Sequence, residues 1–152
     1  MIAATPEETE AFGARLARSM PAAPAALLQV QLQGDLGAGK TTLARGFLRG
    51  LGHSGIVRSP TYTLVETYAL GAITVVHADL YRLQDPDEFE ALGLRELDRA
   101  GHVWLIEWPQ RAGHWLPAAD LNVTLAAHPA FHRIEIQAST AAGTQWLAHS
   151  QT

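Results

Sequence analysis

The chain has 152 residues, of which 47% are hydrophobic and 17% charged, with a net charge of −4 and no cysteine. That length suits one domain with its own buried core, and the missing cysteines remove disulfide scaffolds, Cys-ligated zinc and thiol catalysis. The acidic balance, with a pI near 5.9, argues against a free-standing nucleic-acid binder, which needs clustered Lys and Arg; DNA binding is not expected, and any other nucleic acid should arrive through a partner.

The start, MIAATPEETE, has no basic segment followed by an apolar core, and no apolar run approaches the roughly 18 residues of a membrane span. A cytoplasmic, membrane-free protein is the expectation. Thr5-Pro6-Glu7-Glu8 has the form of a helix start, with a capping hydroxyl, Pro at the first helical position and Glu three residues after the cap. Phe12, Leu16 and Met20 continue it as one apolar stripe, predicting a helix over 6–20. After the PAAPAA loop, Leu28, Val30 and Leu32 alternate with glutamines as in a half-buried strand. A central parallel strand is normally apolar on both faces, so this alternation is in tension with the fold proposed below.

Residues 34–42, GDLGAGKTT, follow that strand directly, and Leu43, Phe47 and Leu51 then show helical spacing before Gly52. SPTYTLVETYAL and AITVVHADL, on either side of Gly71, read as a strand pair. Asp85-Pro86-Asp87-Glu88 repeats the capping signature and predicts a short acidic helix to about Leu92, with a second helical piece to about Arg99. HVWLIEW is a buried strand that Pro109 stops. Leu121, Val123 and Leu125, then Ile134 and Ile136, alternate around an HPAF turn and predict a closing hairpin over about 121–137. From about Thr140 a weak helix or a tail is expected. Together these elements predict one α/β domain over 1–152, a P-loop NTPase-like three-layer fold with a central mixed sheet flanked by helices.

Gly34, Gly39, Lys40 and Thr41 satisfy G-x-x-x-x-G-K-[ST], in which backbone N–H groups and the lysine cradle nucleotide phosphates and the hydroxyl ligates Mg2+. Ten arginines accompany a single lysine in the chain, and that lysine is Lys40. The competing reading is a glycine-rich turn that merely contains Lys-Thr; the flanking strand and helix argue against it. A carboxylate at a strand end should complete a magnesium site or orient the attacking water. Asp79 and Glu107 both end apolar runs and are the candidates; the alternative is that either is an ordinary loop carboxylate. The loop 58–64 carries Ser59, Thr61 and Thr63 after Arg58, hydroxyls that suit a γ-phosphate switch or, equally, an ordinary strand start. The seven histidines suggest no metal site and read as surface or turn residues, His128 and His132 lying around a turn. Trp104 reads as core, and Trp108, at a Glu-Trp-Pro strand end, as a site or partner contact.

GDLGAGKTT, SPTYTLVETY, HADLYRL and EWP, in this order and at these spacings, resemble the bacterial TsaE ATPases, also called YjeE. The likeness runs from about Gly34 to Pro109, half of the chain. It implies an ATPase acting in tRNA N6-threonylcarbamoyladenosine biosynthesis, whose hydrolysis resets a transferase complex of TsaD and TsaB between turnovers, with tRNA met only through that complex. ATP and Mg2+ are the implied cofactors, and turnover is expected to be weak without the partners. By position, Leu36, Gly37, Ala38, Gly39, Lys40, Thr41 and Thr42 would hold the phosphates, Thr41 and Glu107 the metal, and Asp79 would be the hydrolysis-critical acid. Ser59, Thr61 and Thr63 resemble the switch loop of the family, and Trp108 its functionally sensitive tryptophan. The chain departs from the pattern at Ala78, where an aromatic is common, and beyond Pro109, where Arg133 matches the family's basic hairpin residue only loosely. A GTPase is disfavoured because the guanine-reading [NT]-K-x-D needs a second lysine. A small-molecule or nucleoside kinase lacks its Arg-rich lid here, since Arg95 and Arg99 sit amid acids. A nucleotide-dependent binding module is the third class to separate.

Overall fold

The computed structural model describes residues 1–60 and 62–150. Helix α1 (Pro6–Arg18) begins as its sequence dictates, the Thr5 hydroxyl accepting from the Glu8 N–H at 3.2 Å and Glu8 reaching back to the Ala4 N–H. It ends two residues short of the predicted boundary, because Ser19 already caps it; Met20 is still buried, just beyond the last turn.

Seven strands form one sheet: β1 (Ile2–Ala3), β2 (Leu28–Gln33), β3 (Val65–Leu70), β4 (Ile73–Asp79), β5 (His102–Glu107), β6 (Leu121–Ala127) and β7 (His132–Ala138). Their spatial order is β1-β7-β6-β2-β5-β4-β3. The four central strands β6, β2, β5 and β4 run parallel, whereas β3, β7 and β1 are antiparallel to their neighbours, so the sheet is mixed as expected. The two-residue β1 has no signal in the sequence. The strand pair around Gly71 and the hairpin around residues 128–131 form where the turn residues placed them.

Helices α1, α2 (Lys40–Gly50) and α3 (Ala141–Ser150) cover one face, where Leu43, Phe47 and Leu16 meet Val30, Val103, Leu105 and Val123. The weak C-terminal helix is anchored there by Trp146, fully buried, its indole N–H donating to Leu16 O at 2.8 Å. The other face is covered by 3-10 segments, Pro86–Leu92, Leu94–Leu97 and Pro109–Trp115, over Val76, Ala78, Trp104 and Ile106. The Asp85 capping box is present, but Pro86 and the left-handed Gly93 leave only seven residues between start and stop, and these take 3-10 form.

The alternation in β2 is resolved by hydrogen bonding. β2 is central and its glutamines face the 3-10 layer, yet Gln29 donates from its amide to Pro117 O at 3.1 Å and receives the Gln31 amide at 2.7 Å. A polar residue is tolerated on a central strand once its groups are paired.

α1 and α2 cross with backbone against backbone. A Cβ built on Gly13 would lie 2.3 Å from Leu43 O, and one on Gly46 would lie 2.0 Å from Glu10 O. Helix propensity alone would make Gly46→Ala stabilising by about 0.5–1 kcal/mol. Neither backbone can yield without separating the helices, and such overpacking costs about 1–3 kcal/mol. Gly46→Ala is therefore expected to lower the urea midpoint; a raised midpoint would show that the helices have room to part.

Candidate functional site

Between β2 and α2 the chain turns through Gly34 to Gly39. A side chain at Gly34 would strike Leu125 O at 2.4 Å, so the loop can leave β2 beside β6 only as glycine. Gly39 takes a left-handed conformation (φ 106°) as the residue before α2. It offers no side-chain acceptor, and the first turn of α2 contains no acid, so its N–H groups lack the usual caps. Such a helix start favours an anion.

Lys40 is 5% exposed. Its ammonium donates to Gly34 O at 2.5 Å and Asp35 O at 2.9 Å, holding the start of the loop against its end. The Trp108 ring lies 4.5 Å from the same ammonium. Burial pushes the Lys40 pKa down, and the nearby Glu107, Asp79 and Asp35 carboxylates oppose that shift. Trp108 reaches this place by a left-handed backbone (φ 57°, ψ 52°), a costly conformation for a bulky residue, and also packs on Tyr81 at 4.9 Å.

The register of β4 and β5 sets Asp79 opposite Glu107, so the two acids come side by side at the ends of adjacent parallel strands. Glu107 is 2% exposed. The Thr41 hydroxyl lies 3.1 and 3.0 Å from its two oxygens, and His77 Nε2 contacts Oε2 at 2.6 Å. Asp79 accepts from the Ser59 hydroxyl and from the Tyr81 N–H at 3.0 Å.

A cavity of about 370 Å³ joins these groups, bounded by Leu36, Gly37, Gly39, Lys40, Thr41, Thr42, Ser59, Asp79, Glu107 and Trp108. Most of the sequence-predicted residues thus converge. Ala38 instead turns inward, buried, with its N–H donating to Asp35 O at 3.1 Å. Thr63 lies outside the cavity, in a separate groove with Ile56, Tyr62 and Tyr68. Thr61 falls outside the described residues. Arg133 is exposed beside Glu135, and its neighbour His132 lines the cavity with Pro6 and Thr9. No short-range signal marked these three, because α1 and β7 meet the loop only through the fold.

The reading of the histidines as surface or turn residues is corrected at His77, which is fully buried against Glu107. The signal was available: His77 precedes Asp79 by two residues on a strand, so both share one face.

A glycine-rich loop between a central parallel strand and a helix, with a lysine, a hydroxyl and strand-end carboxylates around one cavity, defines the class of P-loop α/β proteins by sequence motif and topology. Within that class, the family model described as threonylcarbamoyl adenosine biosynthesis protein TsaE matches residues 3–134, and the chain belongs to this family. It is 47% identical over 116 residues to the tRNA threonylcarbamoyladenosine biosynthesis protein TsaE of Haemophilus influenzae, covering 76% of this chain and 73% of that one. It is 42% identical to the protein of the same name from Bacillus subtilis, covering 79% and 72%. The crystal structure of YdiB from Bacillus subtilis superposes with a TM-score of 0.77 at 29% identity, over 99% of this chain and 92% of that one.

The position of Trp108 separates two energies. Trp108→Ala removes the ring from Lys40 and keeps a side chain at positive φ; loss of the cation–π contact alone is expected to cost about 0.5–2 kcal/mol. Trp108→Gly loses the same ring but relieves roughly 1–2 kcal/mol of left-handed strain. The glycine variant is expected to be the more stable in urea unfolding, and the reverse order would remove the strain from the account.

Proposed function

We propose that the chain binds and hydrolyses ATP in tRNA N6-threonylcarbamoyladenosine biosynthesis, where hydrolysis resets the TsaD–TsaB transferase complex between turnovers. The observation that supports this best is the contact of Thr41 with Glu107, groups 66 residues apart in sequence that meet in the cavity beside Lys40. The donor set fits a magnesium nucleotide: an uncapped helix start and an ammonium for the phosphates, a hydroxyl and a carboxylate for a hard cation. Bound there, Mg2+ would supply charge neutralisation on the phosphates.

In this reading Lys40 and the backbone of Leu36, Gly37, Gly39, Thr41 and Thr42 bind and orient the phosphates. Thr41 and Glu107 hold the metal. Asp79, hydrogen-bonded by Ser59, accepts a hydrogen bond from the attacking water and orients it. Trp108 closes one wall over Lys40 and shields it from solvent. Ser59 and Thr63 flank the switch-like stretch of this reading, which completes the site only with the partners, so the isolated chain turns over slowly. The protein acts in the cytoplasm, and tRNA reaches it only within the complex.

The test follows ATP hydrolysis by the chain alone and with TsaB, TsaD, tRNA and threonylcarbamoyl-adenylate, while scoring modified tRNA over several turnovers. Hydrolysis should rise with the partners, and repeated modification should require ATP. Phosphate transferred to a small acceptor would instead establish a kinase. Lys40→Ala should abolish nucleotide binding; wild-type affinity in that variant would remove the site. Asp79→Asn and Glu107→Gln should still bind nucleotide but hydrolyse it at least about tenfold more slowly. Unchanged rates in both would leave these acids a structural role.

A further inference from the structure

We propose that His77 is a positioning residue for Glu107, holding one carboxylate oxygen so that the group is presented to Thr41 and to a divalent cation. The inference rests on the reading of Glu107 as a metal ligand. It starts from an arrangement that packing alone does not account for. β4 is the neighbour of a central strand, and its face toward α2 otherwise carries Ile73, Val75 and, at the strand end, Asp79, with Val103 and Leu105 beside them on β5. A fully buried imidazole among these side chains makes one hydrogen bond among the described residues, from Nε2 to Glu107 Oε2 at 2.6 Å. Its Nδ1 is buried and has no hydrogen-bond partner among the described residues. Leaving a buried polar atom unsatisfied is unfavourable. A valine would fill such a position without that penalty, and local departures of this kind are characteristic of functional sites.

The single contact has a definite direction. An ionised carboxylate only accepts, so the hydrogen between the two residues is carried by Nε2. Thr41 approaches both oxygens of the same carboxylate, and His77 touches Oε2 alone. The carboxylate is therefore gripped at two points, by a hydroxyl from α2 and by an imidazole from β4, and its rotation about the last side-chain bond is fixed before any ion arrives. Hydrogen bonds to a ligating carboxylate act in this way, and their removal typically lowers metal affinity or activity by on the order of 10–100-fold.

The experiment compares His77→Leu, His77→Gln and His77→Asn by calorimetric titration with ADP, with Mg2+ varied and with EDTA present, each variant first checked for cooperative unfolding. Glutamine places an N–H near the position of Nε2; asparagine is too short to reach Glu107. His77→Leu and His77→Asn should require 10–100-fold more Mg2+ to give the magnesium-dependent gain in ADP affinity, with ADP affinity in EDTA unchanged within about twofold, the pattern of a metal-positioning partner. His77→Gln should recover most of the gain. If leucine disrupts folding, the glutamine–asparagine pair decides alone. Wild-type magnesium dependence in the asparagine variant, or equal impairment of folded glutamine and asparagine variants, overturns the positioning role and leaves Glu107 as ligand. A wild-type protein that binds ADP without regard to Mg2+ overturns the metal-site reading itself, and this proposal with it.

Discussion

A carboxylate buried at the end of a central parallel strand has to be paired, since an isolated charge in that environment is highly unfavourable. Glu107 meets this requirement with groups drawn from two other elements, the Thr41 hydroxyl of α2 and the His77 imidazole of β4. The position of α2 along β5, the register between β4 and β5, and the place of Lys40 beside both are tied together through that one group. The close crossing of α1 over α2 then fixes α2 from behind, because the glycines that permit it leave no freedom to slide. The geometry around Glu107 is thus a property of three packed elements rather than of a loop.

Much of this was legible because the relevant signals are local. Thr5-Pro6-Glu7-Glu8 and Asp85-Pro86-Asp87-Glu88 carry their own capping chemistry, and both form. Lys40, Thr41, Asp79 and Glu107 were each marked by a motif or by a strand end, and parallel pairing brings strand ends to one edge of the sheet. What escaped depends on contacts distant in sequence. His132, Pro6 and Thr9 reach the cavity through the packing of β7 and α1 around the loop. The glutamines of β2 were read against a rule for strands buried by apolar helices, whereas the layer above them offers a carbonyl at Pro117. Trp108 was placed at the site by its neighbours Glu107 and Pro109, but no sequence pattern announces its left-handed backbone.

The cavity contains two kinds of acid, and their surroundings differ. Glu107 is enclosed and held by side chains from two other elements, which suits a group that must keep one orientation. Asp79 is more open and is engaged by Ser59 from the segment before β3 and by the Tyr81 N–H just beyond its own strand. A displacement of residues 58–60 would free Oδ2 of Asp79, with Oδ1 still held by the Tyr81 N–H, and leave Glu107 in place. The division matches the proposed roles, a fixed ligand beside an acid whose availability depends on a loop.

The two faces of the sheet are built from unlike materials, and that asymmetry bears on how the molecule opens. On one side α-helices with continuous hydrogen-bond ladders interlock backbone to backbone; on the other, 3-10 turns of four to seven residues lie over Trp104 and Ile106. Short 3-10 segments have poorer hydrogen-bond geometry, and segments with few such bonds open locally at free energies well below that of global unfolding. Amide protons in the 3-10 segments, 86–92, 94–97 and 109–115, should therefore exchange with solvent long before those inside α2 and β2. Asp79 and Glu107 stand at the junction, since the strands that carry them run directly into this layer, where the Leu80 N–H bonds to Glu107 O at 3.0 Å. Lys40 and Thr41 ride on a helix locked against α1, and the carboxylates on the border of the layer that opens more readily.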